Sequence, residues 1–422
     1  MDNHTFENPL HPLLLQTLRL EGSCQNPAAF QSLTEAEWIA LTGEAIRLRL
    51  AYAFDQFLHR HPDLMHRAPE ICRERLKKTQ RQTLLLNLKR QAQVGQMLEV
   101  CKAEGIPFLL MKGLWIVDQL YPNMSARASG DIDILLNPED MPRFTRLLQR
   151  EGYPLNPSIG DVRDIAQENN EFPLPTLDGT SRFDIHWSMT HPRIESPIDE
   201  TKIWARSEII TLSGQPCRTL CLEDHLLLLC FHAAIHHRFQ YVGPRALVDI
   251  GQAIKTPPRP IHWEDFVKRA REMGWDRGVW LMLDMVREHL GVKPPQSVLD
   301  ALRPANAGGT KIREAALAAM FMDQQHKEVI GVEVVKLFSQ AGWGGRIAHI
   351  YRRLFPAPGF IAGHFQLSIN DPRLPWLYPW LYVKRWLWII HNNLPKLARL
   401  AARDPEQKSE LERSQTILRW LG

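Results

Sequence analysis

Two aspartates at alternate positions, Asp131 and Asp133, sit in the segment Gly130-Asp131-Ile132-Asp133. In an extended strand, residues two apart project from the same face. Both carboxylates would then stand together, while Ile132, Ile134, Leu135 and Leu136 anchor the strand in a core. Carboxylates crowded on one face repel, and one pKa rises unless a cation neutralises them. Hard divalent ions take oxygen ligands, so the pair suits Mg²⁺, or Mn²⁺, better than Zn²⁺. A solvated strand edge is the bland alternative. Asp184, in RFDIHW, repeats the setting of an acid within an apolar strand. If the strands are neighbours, three carboxylates converge, and such a cluster can hold two metal ions about 3.5–4 Å apart. One ion would activate a hydroxyl and the other stabilise a leaving phosphate.

Upstream, Lys112-Gly113 falls where a strand gives way to a helix. Exposed backbone N–H groups, the close approach that glycine allows and a lysine charge favour a phosphate there. Arg127, four residues before Asp131, offers a bidentate phosphate contact. Ordinary surface charge is the alternative for both cations. His186 shares a face with Asp184 and would tune the site or bind phosphate. His232 and His236, four apart on a helix, have a metal-binding spacing, with Cys217, Cys221 and His225 close in sequence. Yet Cys-x3-Cys is not a zinc-ribbon spacing, and histidine in an apolar helix is commonly a hydrogen-bonded core residue. His232 or His237 meeting an acceptor or Asp249 is a further reading.

Positioning these residues requires strands and helices in alternation. Residues 106–111 (IPFLLM), 131–136 (DIDILL) and 182–189 (RFDIHWSM) read as strands, with helices over 113–121 and from Asn137-Pro138 to Gly152. Before them the chain reads as helix: Thr34 and Glu37 form a capping-box pattern, and a long helix from Pro69 ends near Gly105. After them, EDHLLLLCFHAAIHH is apolar on most sides and marks a central helix. The tail from about Lys336 is helical, punctuated by Pro356, Pro358, Pro372, Pro375 and Pro379. The expected organisation is an N-terminal helical region (1–104), an α/β core (105–200), a helical domain (201–330) and a basic, Trp-rich helical region (331–422). As a class this is α+β: a small mixed sheet with flanking helices inside a predominantly helical protein.

Composition agrees with a folded chain. Of 422 residues, 44% are hydrophobic and 23% charged, which excludes a disordered or collagen-like protein. A net charge of +4 is no strong nucleic-acid signature. That charge is unevenly spread, because residues 341–422 hold 12 Lys and Arg against 5 Asp and Glu, with six of the 13 tryptophans. The segment 376–400 mixes Trp, Tyr and Leu with cations, which suits peripheral membrane contact or packing against the rest of the protein, or a polyanion. The two prolines of the aromatic run, Pro375 and Pro379, argue against one continuous surface helix. No apolar run reaches the roughly 20 residues that span a bilayer. Six cysteines without disulfide-dense spacing, and a start lacking a signal-peptide layout, lead us to expect a cytoplasmic protein.

The order FLLMKG, then a helix ending in LY, R-x-x-x-D-I-D-I-L-L, a helix ending in EGY, and FDIHW resembles the uncharacterised nucleotidyltransferase family. That family belongs to the superfamily sharing the fold of DNA polymerase beta. The likeness covers roughly residues 80–300 and continues in LCFHAAIHH, VDIGQAI and IHWEDFVKRAREMGW. It implies a polymerase-beta-like core and metal-dependent transfer of a nucleoside monophosphate from an NTP such as ATP to an acceptor, releasing pyrophosphate. Metal-ligand and catalytic roles pass to Asp131, Asp133 and Asp184, and nucleotide-phosphate roles to Lys112 and Gly113, with Gly130 beside them. The wider superfamily places Gly-Ser at the strand–helix turn; here Lys112-Gly113 stands there without the hydroxyl, the usual form within the subfamily. The spacing to Asp131 is also longer than in the smallest members. The resemblance supplies no acceptor: small molecule, peptide, protein and RNA all stay open. A non-catalytic nucleotide-binding or scaffold protein is the alternative.

Overall fold

The computed structural model describes residues 6, 8–21, 26–155, 169–191, 198–322, 351, 354–356, 358–365, 367, 371–401 and 405–421. The chain opens with α1 (His11–Thr17), α2 (Pro27–Gln31), α3 (Glu35–Arg47), α4 (Ala51–Arg60), α5 (Pro62–Arg67) and α6 (Glu70–Ala103). The capping box forms as expected: the Glu37 N–H donates to Thr34 Oγ1 at 3.3 Å, and the Thr34 N–H to the Glu37 carboxylate at 2.8 Å. Pro69 caps the 34-residue α6, and the chain leaves it through Gly105 at φ +63, a conformation only glycine adopts freely.

A six-stranded sheet follows, built from β1 (Phe108–Met111), β2 (Ile132–Leu136), β3 (Glu171–Pro175), β4 (Arg182–His186), β5 (Glu208–Leu212) and β6 (Gln215–Thr219). Between them lie α7 (Gly113–Leu120), α8 (Met141–Arg150) and α9 (Glu200–Ala205). The strand order is β3-β4-β2-β1-β6-β5. The sheet is mixed: β1 runs antiparallel to β2 and parallel to β6, while β2 runs parallel to β4. Ile134, Leu135 and Leu136 of β2 are fully buried. Burying such a side chain contributes about 1.5–3 kcal/mol, enough to hold the strand despite the carboxylates at its start.

Two strands lie beyond residue 200, in the stretch expected to be helical. The β5–β6 hairpin closes through Ser213 and Gly214, both at positive φ, and adds the sheet's outer edge. It hides in the sequence because β6 carries a proline and turns only Cys217 and Thr219 inward, while β5 puts Ile209 on its exposed face, so the alternating burial is not matched by an alternation of large apolar and polar residues.

The helical part comprises α10 (Leu222–Phe231), α11 (Arg245–Lys255), α12 (Trp263–Glu272), α13 (Asp276–Met285), α14 (Gln296–Leu302) and α15 (Gly309–Phe321). As its composition suggests, α10 is buried along nearly its whole length, and it runs on into a π-helical turn, His232–His236. C-terminal helices α16 (Pro358–His364), α17 (Leu374–Ala401) and α18 (Pro405–Leu421) complete the described chain. α18 docks on α15, where Trp420 Nε1 donates to the Asn306 carbonyl at 2.8 Å. The expected tail start near Lys336 lies outside the described residues. Contrary to expectation, Pro375 and Pro379 do not divide α17. Pro375 falls in the first turn, where an N–H has no helical partner, and Pro379 forfeits a single bond. Among the described residues, no helix is long and apolar enough to cross a membrane.

Candidate active site

Parallel pairing of β2 with β4 sets Asp133 directly opposite Asp184, one step after Ile132 opposite Phe183. Asp131 immediately precedes β2 and reaches Arg182, the first residue of β4. The Arg182 guanidinium lies between the acids, 2.7 Å from Asp131 Oδ2 and 3.3 Å from Asp184 Oδ1. Asp133 meets different partners, Lys112 Nζ at 3.2 Å and His186 Nε2 at 3.1 Å. Burial opposes ionisation of Asp133, but the Lys112 ammonium and the His186 imidazole outweigh it and hold the carboxyl down at about 2. Asp184 goes the other way: burial first, then repulsion from Asp133, push it up to about 7 despite Arg182. Glu171 adds a fourth acid. It is the partner of His186 across β3 and β4, with Oε2 3.0 Å from His186 Nδ1 but off the axis of a proper hydrogen bond.

Lys112 joins β1 to α7 with φ 44 and ψ −122, a conformation rare for any residue with a side chain. The turn points the ammonium back across β2 to Asp133. Gly113 follows because β2 enters close by: a Cβ there would lie 3.1 Å from the Asp131 carbonyl oxygen. The N-terminus of α7 therefore abuts the acidic strand start.

Arg127 lines the cavity and is also paired within the protein. Its guanidinium is buried and grips Asp249 on α11 with two bonds, Nε at 2.9 Å and Nη2 at 2.8 Å, while Nη1 donates to the Gly113 carbonyl at 3.2 Å. The Tyr121 hydroxyl donates to the same Asp249 at 2.8 Å. Arg127 thus clamps the α7–β2 loop onto α11. Asn87, in the middle of α6, holds the loop from the other side. Its Nδ2 donates to the carbonyls of Met124 and Arg127 at 2.7 and 2.8 Å, and its Oδ1 accepts from the Ser129 N–H and hydroxyl at 3.1 and 2.6 Å.

Two further arginines border the loop. Arg245, the first residue of α11, donates to the Ala128 carbonyl at 2.7 Å, and burial, then repulsion from Arg127, pull its pKa down to about 9. Exposed Arg49, at φ 60, lies beside Gly130. Neither Asn87, Glu171, Arg182, Arg245 nor Arg49 stood out in the sequence. The signals were faint: an asparagine inside a long helix, and a basic residue two before Asp184.

All eight expected site residues line one cavity of about 480 Å³: Lys112, Gly113, Arg127, Gly130, Asp131, Asp133, Asp184 and His186. His232, His236 and His237 line it too. The Nε2 atoms of His232 and His237 lie 3.1 Å apart. Burial drives His232 well below the usual histidine range and His236 to about 4, so both present neutral imidazoles. The zinc reading gains no support, since no three His, Cys, Asp or Glu side chains among the described residues gather as a ready metal site. His225 instead stacks on Trp115 with ring centres 3.5 Å apart and hydrogen-bonds Thr219 Oγ1 at 2.8 Å. Burial pushes the thiols of Cys217 and Cys221 up to about 12.

The cavity thus joins acids at the starts of β2 and β4 to the basic strand–helix turn at Lys112-Gly113. No curated protein and no solved structure matches the chain. The family profile for uncharacterised nucleotidyltransferases matches residues 34–291, from the capping box of α3 to Gly291, beyond the end of α13, and the chain belongs to that family.

Proposed function

We propose that this protein transfers a nucleoside monophosphate from an NTP to an acceptor nucleophile, with release of pyrophosphate. The observation that carries the reading is the register that faces Asp133 with Asp184 beside the Lys112-Gly113 turn. The acids also suit a divalent cation such as Mg²⁺. They are hard oxygen donors, Asp184 is raised by burial and then by its acidic neighbours, and the Arg182 guanidinium already stands between two of them as a positive charge. Asp131, Asp133 and Asp184 would hold it with the Arg182 guanidinium giving way, because as placed here, paired with Arg182 and Lys112, the three do not gather as a ready metal site. When bound, such an ion would neutralise charge on the transferring phosphoryl group and the departing pyrophosphate.

This chain's own residues do the positioning. The N-terminus of α7 and the Lys112 ammonium bind phosphate oxygens, and Arg245 and Arg49 add positive charge on the cavity wall. The nucleophile attacks the α-phosphorus and the bond to the bridging oxygen of the leaving pyrophosphate breaks. Asp184 faces the cavity and is placed to receive the proton lost by the nucleophile. His186 keeps Asp133 ionised and oriented from a buried position. The five described cysteines are free thiols, which supports a reducing, cytoplasmic setting.

Calorimetry with each NTP and Mg²⁺, followed by a pyrophosphate-release assay with labelled NTP in cell extract, tests the reading. Asp133→Asn should lower transfer by roughly a hundred- to a thousandfold, the scale for losing one preorganised electrostatic group. Wild-type binding and transfer in that variant would refute the proposal. Tight NTP binding without turnover on any acceptor would favour the non-catalytic scaffold.

A further inference from the structure

Helix α17 carries an apolar stripe that is exposed and that the other described residues leave uncovered. Trp376, Trp380, Val383, Leu387 and Ile390 recur at intervals of four and three residues, which align side chains on one helix face. Each exposes between 46% and 88% of its surface, and Trp388 beside them is half exposed. The other side of the helix is anchored. Leu374 and Leu381 are buried, Trp386 Nε1 donates to the Leu354 carbonyl at 2.7 Å, and the Tyr382 hydroxyl donates to the Pro356 carbonyl. The helix therefore has its packing partner and still presents a second apolar face. Contiguous exposed apolar surface of this kind marks an interaction site.

Charge selects the partner. No acidic residue lies between Asp371 and Asp404, while that interval holds Arg373, Lys384, Lys396, Arg399 and Arg403, besides the buried Arg385. Lys384 lies over the rings of Trp380 and Phe365, 4.9 and 5.3 Å from their centres, so an ammonium borders the stripe. A second copy seated on the stripe would set two cationic helices together without the flanking acids that pair such helices. Tryptophan is at home at the boundary of headgroups and acyl chains, and cations beside it attract anionic lipid. We propose that α17 docks this protein on an anionic membrane surface, lying in the plane of the interface with Trp376, Trp380 and Leu387 inserted. The inference is independent of the catalytic reading.

Co-sedimentation of the full chain with vesicles of phosphatidylcholine alone, or mixed with phosphatidylserine, tests it. Binding should require phosphatidylserine and weaken with salt. Trp376→Ala/Trp380→Ala should lower the partition coefficient about tenfold or more, and Lys384→Gln about fivefold or less. Each variant should keep the wild-type urea midpoint, because the altered side chains are exposed; Leu387→Gln replaces any that does not. Absence of pelleting, or equal pelleting of wild type and every variant, overturns the proposal. Sedimentation velocity covers the rival occupant: a dimer that Trp376→Ala/Trp380→Ala dissolves, with no vesicle binding, would assign the stripe to a second copy and also overturn it.

Discussion

Exchanging the buried Arg127–Asp249 pair for apolar residues should be far better tolerated than breaking it. The two bonds measure 2.9 and 2.8 Å, and the side chains expose only 6% and 5% of their surface. Removing one partner of such a pair strands a buried charge at about 3–5 kcal/mol, whereas replacing both with apolar groups of similar volume is near neutral or stabilising. Asp249→Leu is the harsher single change. It strands Arg127 and orphans the Tyr121 hydroxyl, which adds about 1–3 kcal/mol. Arg127→Met leaves Asp249 with that hydroxyl and the nearby Arg245 charge, and so falls near about 3 kcal/mol. Arg127→Met/Asp249→Leu should then be more stable than the summed single losses by at least about 2 kcal/mol. Urea unfolding of all four proteins gives the cycle, and calorimetry measures NTP affinity in each. Additive single losses in the double variant would refute the coupled clamp. So would an Arg127→Met protein that folds like wild type and loses only NTP affinity, the behaviour of a plain phosphate ligand.

Asn87→Ala should cost about 2–5 kcal/mol, because the buried Ser129 N–H and the carbonyls of Met124 and Arg127 lose their partner together. NTP affinity should fall in the same variant as the α7–β2 loop loosens; unchanged urea midpoint and affinity would show that the loop holds itself. Stability should also fall in acid through Glu223. Burial opposes its charge, but hydrogen bonds from Arg259 and the His262 N–H hold its pKa at about 2 against the usual 4.5. A depressed folded pKa adds stability that is complete above about pH 4.5 and drains away toward pH 2. Glu223→Gln should flatten that part of the unfolding profile, and a slope unchanged from wild type would exclude Glu223 as its source.

The features legible along the chain share one property: they act over a few residues. Thr34 and Glu37 cap α3 because a side chain reaches the backbone three residues away. Asp131 and Asp133 project together because strand side chains alternate, and Gly105 ends α6 because the left-handed turn tolerates it. Strand–helix alternation around them likewise announced the mixed sheet and the cavity residues from Lys112 to His186.

What the tertiary structure decided depends on partners far apart in sequence. Arg127 reads as a phosphate ligand until Asp249, 122 residues further along on α11, pairs with it. Asn87 reads as an unremarkable helical residue until the α7–β2 loop folds over it. Arg182 and Glu171 join the site only through strand register, and β5 and β6 become strands only by completing a sheet edge. In α17, composition alone marked an aromatic, basic segment; packing of Tyr382 and Trp386 determined which aromatics face outward. Local backbone geometry is written in spacing, whereas the partner of a buried charge is set by which surfaces meet when the core closes.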